Sequence, residues 1–347
     1  MHRSFKQLGF IDRMVGPGKS RSDEFFRAVD RVVDWKPIEE RLNVIYSSRM
    51  GAPSFSPLLM YKALLIQRWY NLSDPELEDA LNDRKSFARF VGLPLDRAGP
   101  DHSTVSRFRT QLIKQGLMEP LLAALRDQIE AAGLILKQGT LMDATFVPSA
   151  ARPPSAPRKA KPQDAKTDNP AAGEATEARE PPPDPFKSGK QSRRDPDARW
   201  GKKGKVACFG HKLHLAVDDE HRIIRKHYLT AANVNDCEMG PDLIVPDGGA
   251  HYADKGYSSQ SMREALAAQG LANGVMRLGT KHYPLRPADR RRNRILTGLR
   301  SAVEGVFGEM KTRLGFSRAR YLGSIKVQLE CDLVVFTFNL KTFTLAR

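Results

Sequence analysis

Proline decides the layout of this chain. Pro148, Pro153, Pro154, Pro157, Pro162, Pro170, Pro181, Pro182, Pro183, Pro185 and Pro196 place 11 of its 23 prolines in one stretch. Each fixes φ and removes a backbone donor, so neither a long helix nor a central strand can run through them. Almost nothing apolar lies between Pro148 and Pro196. The stretch reads as a flexible insertion at about 148–205, too poor in apolar surface to offset its own ordering entropy. Its far end turns basic at Arg193, Arg194, Arg199, Lys202, Lys203 and Lys205, around Trp200. Such an end either orders on a nucleic acid or stays a solvated linker.

The two sides of the insertion carry different periods. On the N-terminal side, Ser56 and Pro57 open an apolar run of Leu58, Leu59, Ala63, Leu64 and Trp69, with the serine as N-cap and proline in the first turn. Ser73 and Glu76 have the capping-box spacing before Leu77, Ala80 and Leu81, and Gly92 punctuates. Asp101 can cap a further helix whose Val105, Phe108 and Leu112 share one face. Its other face presents Ser103, Thr104, Arg107 and Gln111, short hydroxyls followed by longer polar arms that suit phosphates and base edges in a major groove. A polar bundle surface would look similar. Met118 to Ala132 continues as an amphipathic helix that stops at Gly133, completing a helical region over 1–135.

Beyond it, Thr140 to Val147 reads as a strand ending at Pro148, with Leu141, Asp143 and Thr145 on one side. Gly210 to Asp218 and Ile223 to Leu229 flank an acidic turn and predict an antiparallel hairpin. A short strand leads into Asp254, and Gln260 to Gln269 is helical. Strands that first meander and then alternate with helices predict a mixed sheet flanked by helices over 136–347.

Charge narrows the partners. Lys plus Arg number 56 against 40 Asp plus Glu, a formal +16 over 347 residues, which favours a polyanion such as nucleic acid over a small neutral substrate. A basic protein without such a partner is the plainer alternative. No apolar stretch approaches the ~18 residues of a spanning helix, so no membrane partner is expected. The start, with Arg3, Lys6, Asp12 and Arg13, lacks the apolar centre of a signal peptide. Cys208, Cys237 and Cys331 are widely spaced and predict neither disulfides nor a zinc site, in keeping with a reducing cytoplasmic compartment.

Three carboxylates stand out by context: Asp143 in the first strand, Asp254 at the end of a later one beside Gly256, and Glu304 on a long helix. At 100° per residue, Arg300, Glu304 and Lys311 fall within about 40° of one another, beside an apolar face of Leu296, Leu299, Val303, Phe307, Met310 and Leu314. Glu304 therefore sits at the border of core and solvent, and Arg300 and Lys311 can meet phosphates in the same cleft. Ordinary i,i+4 ion pairing would account for an Arg and a Glu equally well. Arg290, Arg291, Arg292 and Arg294 crowd the start of the helix, where four positive charges oppose the dipole unless an anion is near. His211 and His214 are read as sharing one strand face and are left out of any metal site. Asn233, Asn235 and Asp236 are read as turn residues or as groups that orient the site.

Taken together, the motifs resemble the DDE transposases of the insertion-sequence 5 type over roughly residues 40 to 340, without the insertion. The likeness is carried by Ser56-Pro57-Leu58-Leu59-Met60, Asp101-His102-Ser103-Thr104, Asp143-Ala144-Thr145, Gly210-His211-Lys212-Leu213-His214, Thr230 to Asp236, Ala253-Asp254-Lys255-Gly256-Tyr257 and the Glu304 helix. Arg300, Glu304 and Lys311 match the family's Tyr-x2-Arg-x3-Glu-x6-Lys signature, while Thr297 stands at its tyrosine position. The resemblance implies an α/β, ribonuclease-H-like catalytic domain behind an all-α, helix-turn-helix-like N-terminal domain. It also implies Asp143, Asp254 and Glu304 as the catalytic, metal-binding acids. Phosphodiester attack suits a pair of Mg²⁺ or Mn²⁺ ions about 3.5 to 4 Å apart, with Asp143 expected to bridge both. Ser103, Thr104, Arg107, Gln111, Arg291, Arg292, Arg300 and Lys311 are the expected DNA contacts. The expected activity is cut-and-paste transposition of a bacterial insertion sequence by a nucleoid-associated homodimer on paired terminal inverted repeats, acting on double-stranded DNA. A catalytically silent, domesticated DNA-binding protein of the same fold is the rival.

Overall fold

The computed structural model describes residues 18–46, 54–135, 137–153, 194–203 and 206–347. Arg3, Lys6, Asp12, Arg13, Arg193, Lys205 and most of the proline-rich stretch lie outside the described residues.

The N-terminal side is helical, as its period predicts: α1 (Arg21–Val32), α2 (Lys36–Leu42), α3 (Pro57–Trp69), α4 (Asp74–Asp83), α5 (Lys85–Val91), α6 (His102–Lys114) and α7 (Met118–Ala131). The capping box before α4 forms, with Glu76 N–H donating to Ser73 Oγ and Ser73 N–H to Glu76 Oε2 at 2.7 Å. Ser56 differs from expectation, because its hydroxyl makes no cap hydrogen bond. α3 starts without it: Pro57 occupies a position whose N–H would have no acceptor, and burial on nearly every side holds the helix.

The sheet begins with β1 (Gly139–Pro148), followed by β2 (Arg199–Lys203), β3 (Val206–Asp218), β4 (Ile224–Ala231), β5 (Ala250–Ala253) and β6 (Asn273–Val275). β3 is antiparallel to β1 on one edge, and on the other to β2 along its first half and β4 along its second. β5 runs parallel to β1, and β6 parallel to β5. Thus a meandering antiparallel half meets a parallel half at β1, the mixed sheet that the alternating elements predict. α9 (Gln260–Ala268) follows β5, and α10 (Pro287–Thr312) packs across β1 and β5.

Two parts differ from the sequence reading. The far end of the basic segment is structured: Arg199 to Lys203 form β2, and Asp195, Ala198 and Arg199 are buried. Asp195 accepts a hydrogen bond from Ser149 Oγ, while Arg318 Nε donates to the Ser149 carbonyl at 2.8 Å, so both sides of the insertion meet in one clasp. His211 and His214 do not share a face. Three residues apart in a strand, they point to opposite sides, and both are fully buried, His214 with its Nε2 3.0 Å from Thr230 Oγ1.

The last helix, α11 (Ser324–Leu345), lies against α1, α3 and α7 and also against β4. Its apolar residues share one buried cluster with Phe26, Leu64 and Phe108 of the helical side and with Leu141 and Val217 of the sheet. Asn339 ties it to β4, accepting from Ile224 N–H at 2.9 Å and donating to the Ile224 carbonyl at 2.8 Å.

Candidate active site

The parallel pairing of β1 and β5 sets Met142 opposite Ala253. One residue further along each strand come Asp143 and Asp254, at the same level on neighbouring strands, which lie about 4.8 Å apart in any sheet. Asp143 is buried, and its Oδ1 accepts from Ala144 N–H at 2.8 Å. Asp254 leaves the strand as the cap of a one-turn helix, its Oδ1 accepting from Gly256 N–H at 2.7 Å. Gly256 fits there for want of a side chain: a Cβ would come within 2.8 Å of Asp254 Oδ1.

α10 brings the third acid. Its Val303, Val306, Phe307 and Met310 are buried towards the sheet, which turns the stripe of Arg300, Glu304 and Lys311 along the face of β1 that carries Asp143 and Thr145. One Arg300 guanidinium nitrogen lies 3.5 Å from Asp143 Oδ2 and 3.5 Å from Glu304 Oε1. Lys311 Nζ donates to Thr145 Oγ1 at 2.6 Å. Glu304 faces solvent, its side chain 65% exposed against 8% for Asp143. The apolar face predicted from the sequence includes Leu299, but the structure leaves it exposed at the rim of that face, while Leu296 one turn earlier is buried.

Asp254, Arg290, Asn293, Thr297 and Arg300 line a cleft of about 590 Å³. Thr297 turns its hydroxyl onto its own helix, donating to the Asn293 carbonyl at 2.9 Å. Arg291 is exposed, whereas Arg292 is half-buried and donates to the carbonyls of Val275 and Asn273, both at 2.8 Å, holding the end of β6. In the helical region, α6 carries the other expected contacts. Asp101 caps it by accepting from Thr104 N–H at 2.6 Å, and hydrogen bonds from Ser103 and Thr104 hold the Asp101 carboxyl down at about 2. Arg107 folds back along the same face, donating to Ser103 Oγ at 3.0 Å and Thr104 Oγ1 at 3.2 Å, with Gln111 half-buried beyond them. Arg109, on the opposite side of α6, is buried against Asp74.

The oxygen-rich donor set suits a hard divalent cation. Among the described residues no three His, Cys, Asp or Glu side chains stand close enough to enclose an ion as they are placed. Instead Arg300 provides the positive charge between Asp143 and Glu304, and the exposure of Glu304 leaves it room to approach. Asp236 is left open by the sequence between a turn residue and a group that orients the site. It starts the short α8 (Asp236–Met239), where its Oδ1 accepts from Lys212 Nζ at 3.0 Å, and a Cβ on Gly256 would lie 3.6 Å from its Oδ2.

A mixed sheet with acids on adjacent central strands and a third on a helix crossing them defines a ribonuclease-H-like phosphoryl-transfer fold. Residues 17–111 match the family described as Transposase domain (DUF772), and residues 136–340 match the Transposase DDE domain. The chain belongs to the DDE transposases of the insertion-sequence 4 and 5 type, and its function is DNA transposition. No solved structure matches it. Members of the family generally act on DNA and use divalent metals, and no helix among the described residues is long and apolar enough to cross a membrane.

Proposed function

We propose that the chain binds the terminal inverted repeats of its element, cuts the DNA there and joins the freed ends to a target, working as a homodimer on paired ends. The observation that carries this reading is the placement of Asp143 and Asp254 at one level on neighbouring strands, with Glu304 reached through Arg300. Asp143, Asp254 and Glu304 would hold two Mg²⁺ or Mn²⁺ ions. When bound, such ions supply charge relief to the attacked phosphate and its leaving oxygen.

The protein's own groups do the rest. Arg300 Nε and Nη1 are buried without a hydrogen-bond partner and are available to phosphate oxygens once the carboxylates take up cations. Lys311, fixed on Thr145, places a second positive charge along the strand beside Asp143. Ser103, Thr104, Arg107 and Gln111 face DNA from α6, with Arg291 and Arg292 adding charge near the cleft. In this reading residues 1–135 recognise the repeats and residues 136–347 carry out the chemistry.

The test is incubation of the purified protein with a labelled terminal-repeat duplex and Mg²⁺. Wild type is expected to nick and transfer the strand. Asp143→Asn is expected to bind equally well while cleaving about 10³-fold more slowly, the several kcal/mol that charge stabilisation of this kind contributes. Binding without nicking by both proteins overturns the enzyme reading in favour of a silent DNA-binding protein.

A further inference from the structure

Asp236 and Tyr257 lie beside Asp143 and Asp254 without belonging to the three acids of the proposed site. Asp236 is anchored: Lys212 Nζ holds its Oδ1 at 3.0 Å and also donates to the Val234 carbonyl at 2.6 Å. Gly256 separates Asp236 from Asp254, for a Cβ built on it lies 2.8 Å from Asp254 Oδ1 and 3.6 Å from Asp236 Oδ2. The two carboxylates therefore face one another across the only position in that turn with no side chain. Behind them the Tyr257 ring is fully enclosed in the second core cluster, packed with Met142, Ala253 and Met262.

The ring is at home there, but its hydroxyl is not. Tyr257 Oη is buried with no hydrogen-bond partner, and a buried phenol normally finds one. Burial first, and then the charges of Asp236, Asp143 and Asp254, push this phenol well above its ordinary range, against a smaller opposing effect of Arg300. It is thus a fixed, permanently protonated donor next to three carboxylates. A phenylalanine would fill the same space without stranding an oxygen, so packing gives no reason for the hydroxyl.

We propose that Asp236 is a fourth acid beside the reacting centre, and that the Tyr257 hydroxyl, unpartnered as it stands, is the donor held ready for a neighbouring carboxylate that turns towards it when cations displace Arg300. Both are positioning residues: they act through Asp143 and Asp254 rather than on DNA. The proposal rests on the reading of the site given above. With cations absent, Arg300 neutralises Asp143 and Glu304. As that counter-charge is replaced, the carboxylates reorient, and Tyr257 and Asp236 limit the orientations open to them. A set of acids held this way loses less freedom on gathering ions, so the effect falls on ion affinity.

The experiment titrates full-length wild type, Tyr257→Phe, Asp236→Asn and Asp236→Glu with Mn²⁺. Two readouts are followed: the shift in thermal unfolding midpoint, and the rate of cleavage of the terminal-repeat duplex. Tyr257→Phe removes one oxygen from a packed ring, so its fold, checked by circular dichroism, is retained. Half-saturating Mn²⁺ is expected to rise about tenfold in both readouts for Tyr257→Phe and Asp236→Asn, in the range that outer partners of a metal site contribute. DNA affinity without metal is expected to stay unchanged, and Asp236→Glu to recover part of the loss. Unaltered Mn²⁺ dependence in both Tyr257→Phe and Asp236→Asn overturns the proposal alone, provided wild type responds to Mn²⁺ and Asp143→Asn is inactive. A wild type that neither cleaves nor responds to Mn²⁺ overturns the reading of the site and the proposal with it.

Discussion

His214 sits in the middle of β3 with its imidazole wholly enclosed, and burial, helped by the positive charge of Lys212, lowers its pKa from 6.5 to about 3. The sign of the consequence is fixed. Between those values the unfolded chain binds a proton that the folded chain refuses, so stability falls as pH drops from 6.5 towards 3. Replacing His214 with Gln is expected to flatten that part of the profile, read from urea unfolding at a series of pH values. Wild-type and variant curves that stay parallel throughout would contradict it. Legibility at this scale depended on whether a residue's job was local. The Asp101 cap and the Ser73 and Glu76 box needed only neighbours three residues away, and both form. The sequence cannot decide between the two readings of Asp236, because its partners, Lys212 and the turn at Gly256, are brought to it only by the sheet. His211 and His214, an odd number of residues apart, are sent to opposite faces by a strand's period of two.

Among the elements, β1 matters most because it belongs to both kinds of pairing. Its antiparallel neighbour β3 fixes which side Asp143 faces, and its parallel neighbour β5 fixes the level of Asp254. Alternation made β1, β3 and β4 legible as strands, and the 100° period made α10 legible with its Arg300, Glu304 and Lys311 stripe. The register between β1 and β5 was not, since it depends on residues more than a hundred positions apart in the chain. β2 is not legible because its composition is that of a basic linker, and it becomes a strand only by pairing with the first half of β3. The join between α11 and β4 is equally non-local. Asn339 there supplies both a donor and an acceptor to the backbone of Ile224, while itself 1% exposed. Asn339→Ala strands a buried N–H and a buried carbonyl together, so a loss of about 2 to 4 kcal/mol is expected in calorimetric unfolding. A loss below about 0.5 kcal/mol would mean that solvent or a neighbour satisfies Ile224 instead.

Across the whole molecule, the helical side and the sheet side are joined by charge as well as by apolar contact. Arg68 on α3 and Glu330 on α11 pair at 2.8 Å with both side chains fully buried, and Glu330 also accepts from Arg320 N–H at 2.9 Å. Arg68 Nε and Nη2 have no hydrogen-bond partner, so the pair is imperfectly satisfied. Arg68→Met alone is expected to cost about 3 to 5 kcal/mol by taking away the closest charged partner of the buried Glu330, which keeps only its contacts with Arg320, and adding Glu330→Leu to recover most of it, as apolar replacements of buried pairs commonly do. Urea titrations of the two singles and the double check this, and strictly additive losses would refute it. The seat of α11 among α1, α3 and α7 bears on synthesis too. Helices made early wait for a partner made only after the sheet, so a ribosome that stalls before Ser324 releases a chain whose apolar cleft has no lodger. Such fragments are expected to be cleared by proteases rather than to accumulate, which pulse-labelling of a chain truncated before Ser324 would check.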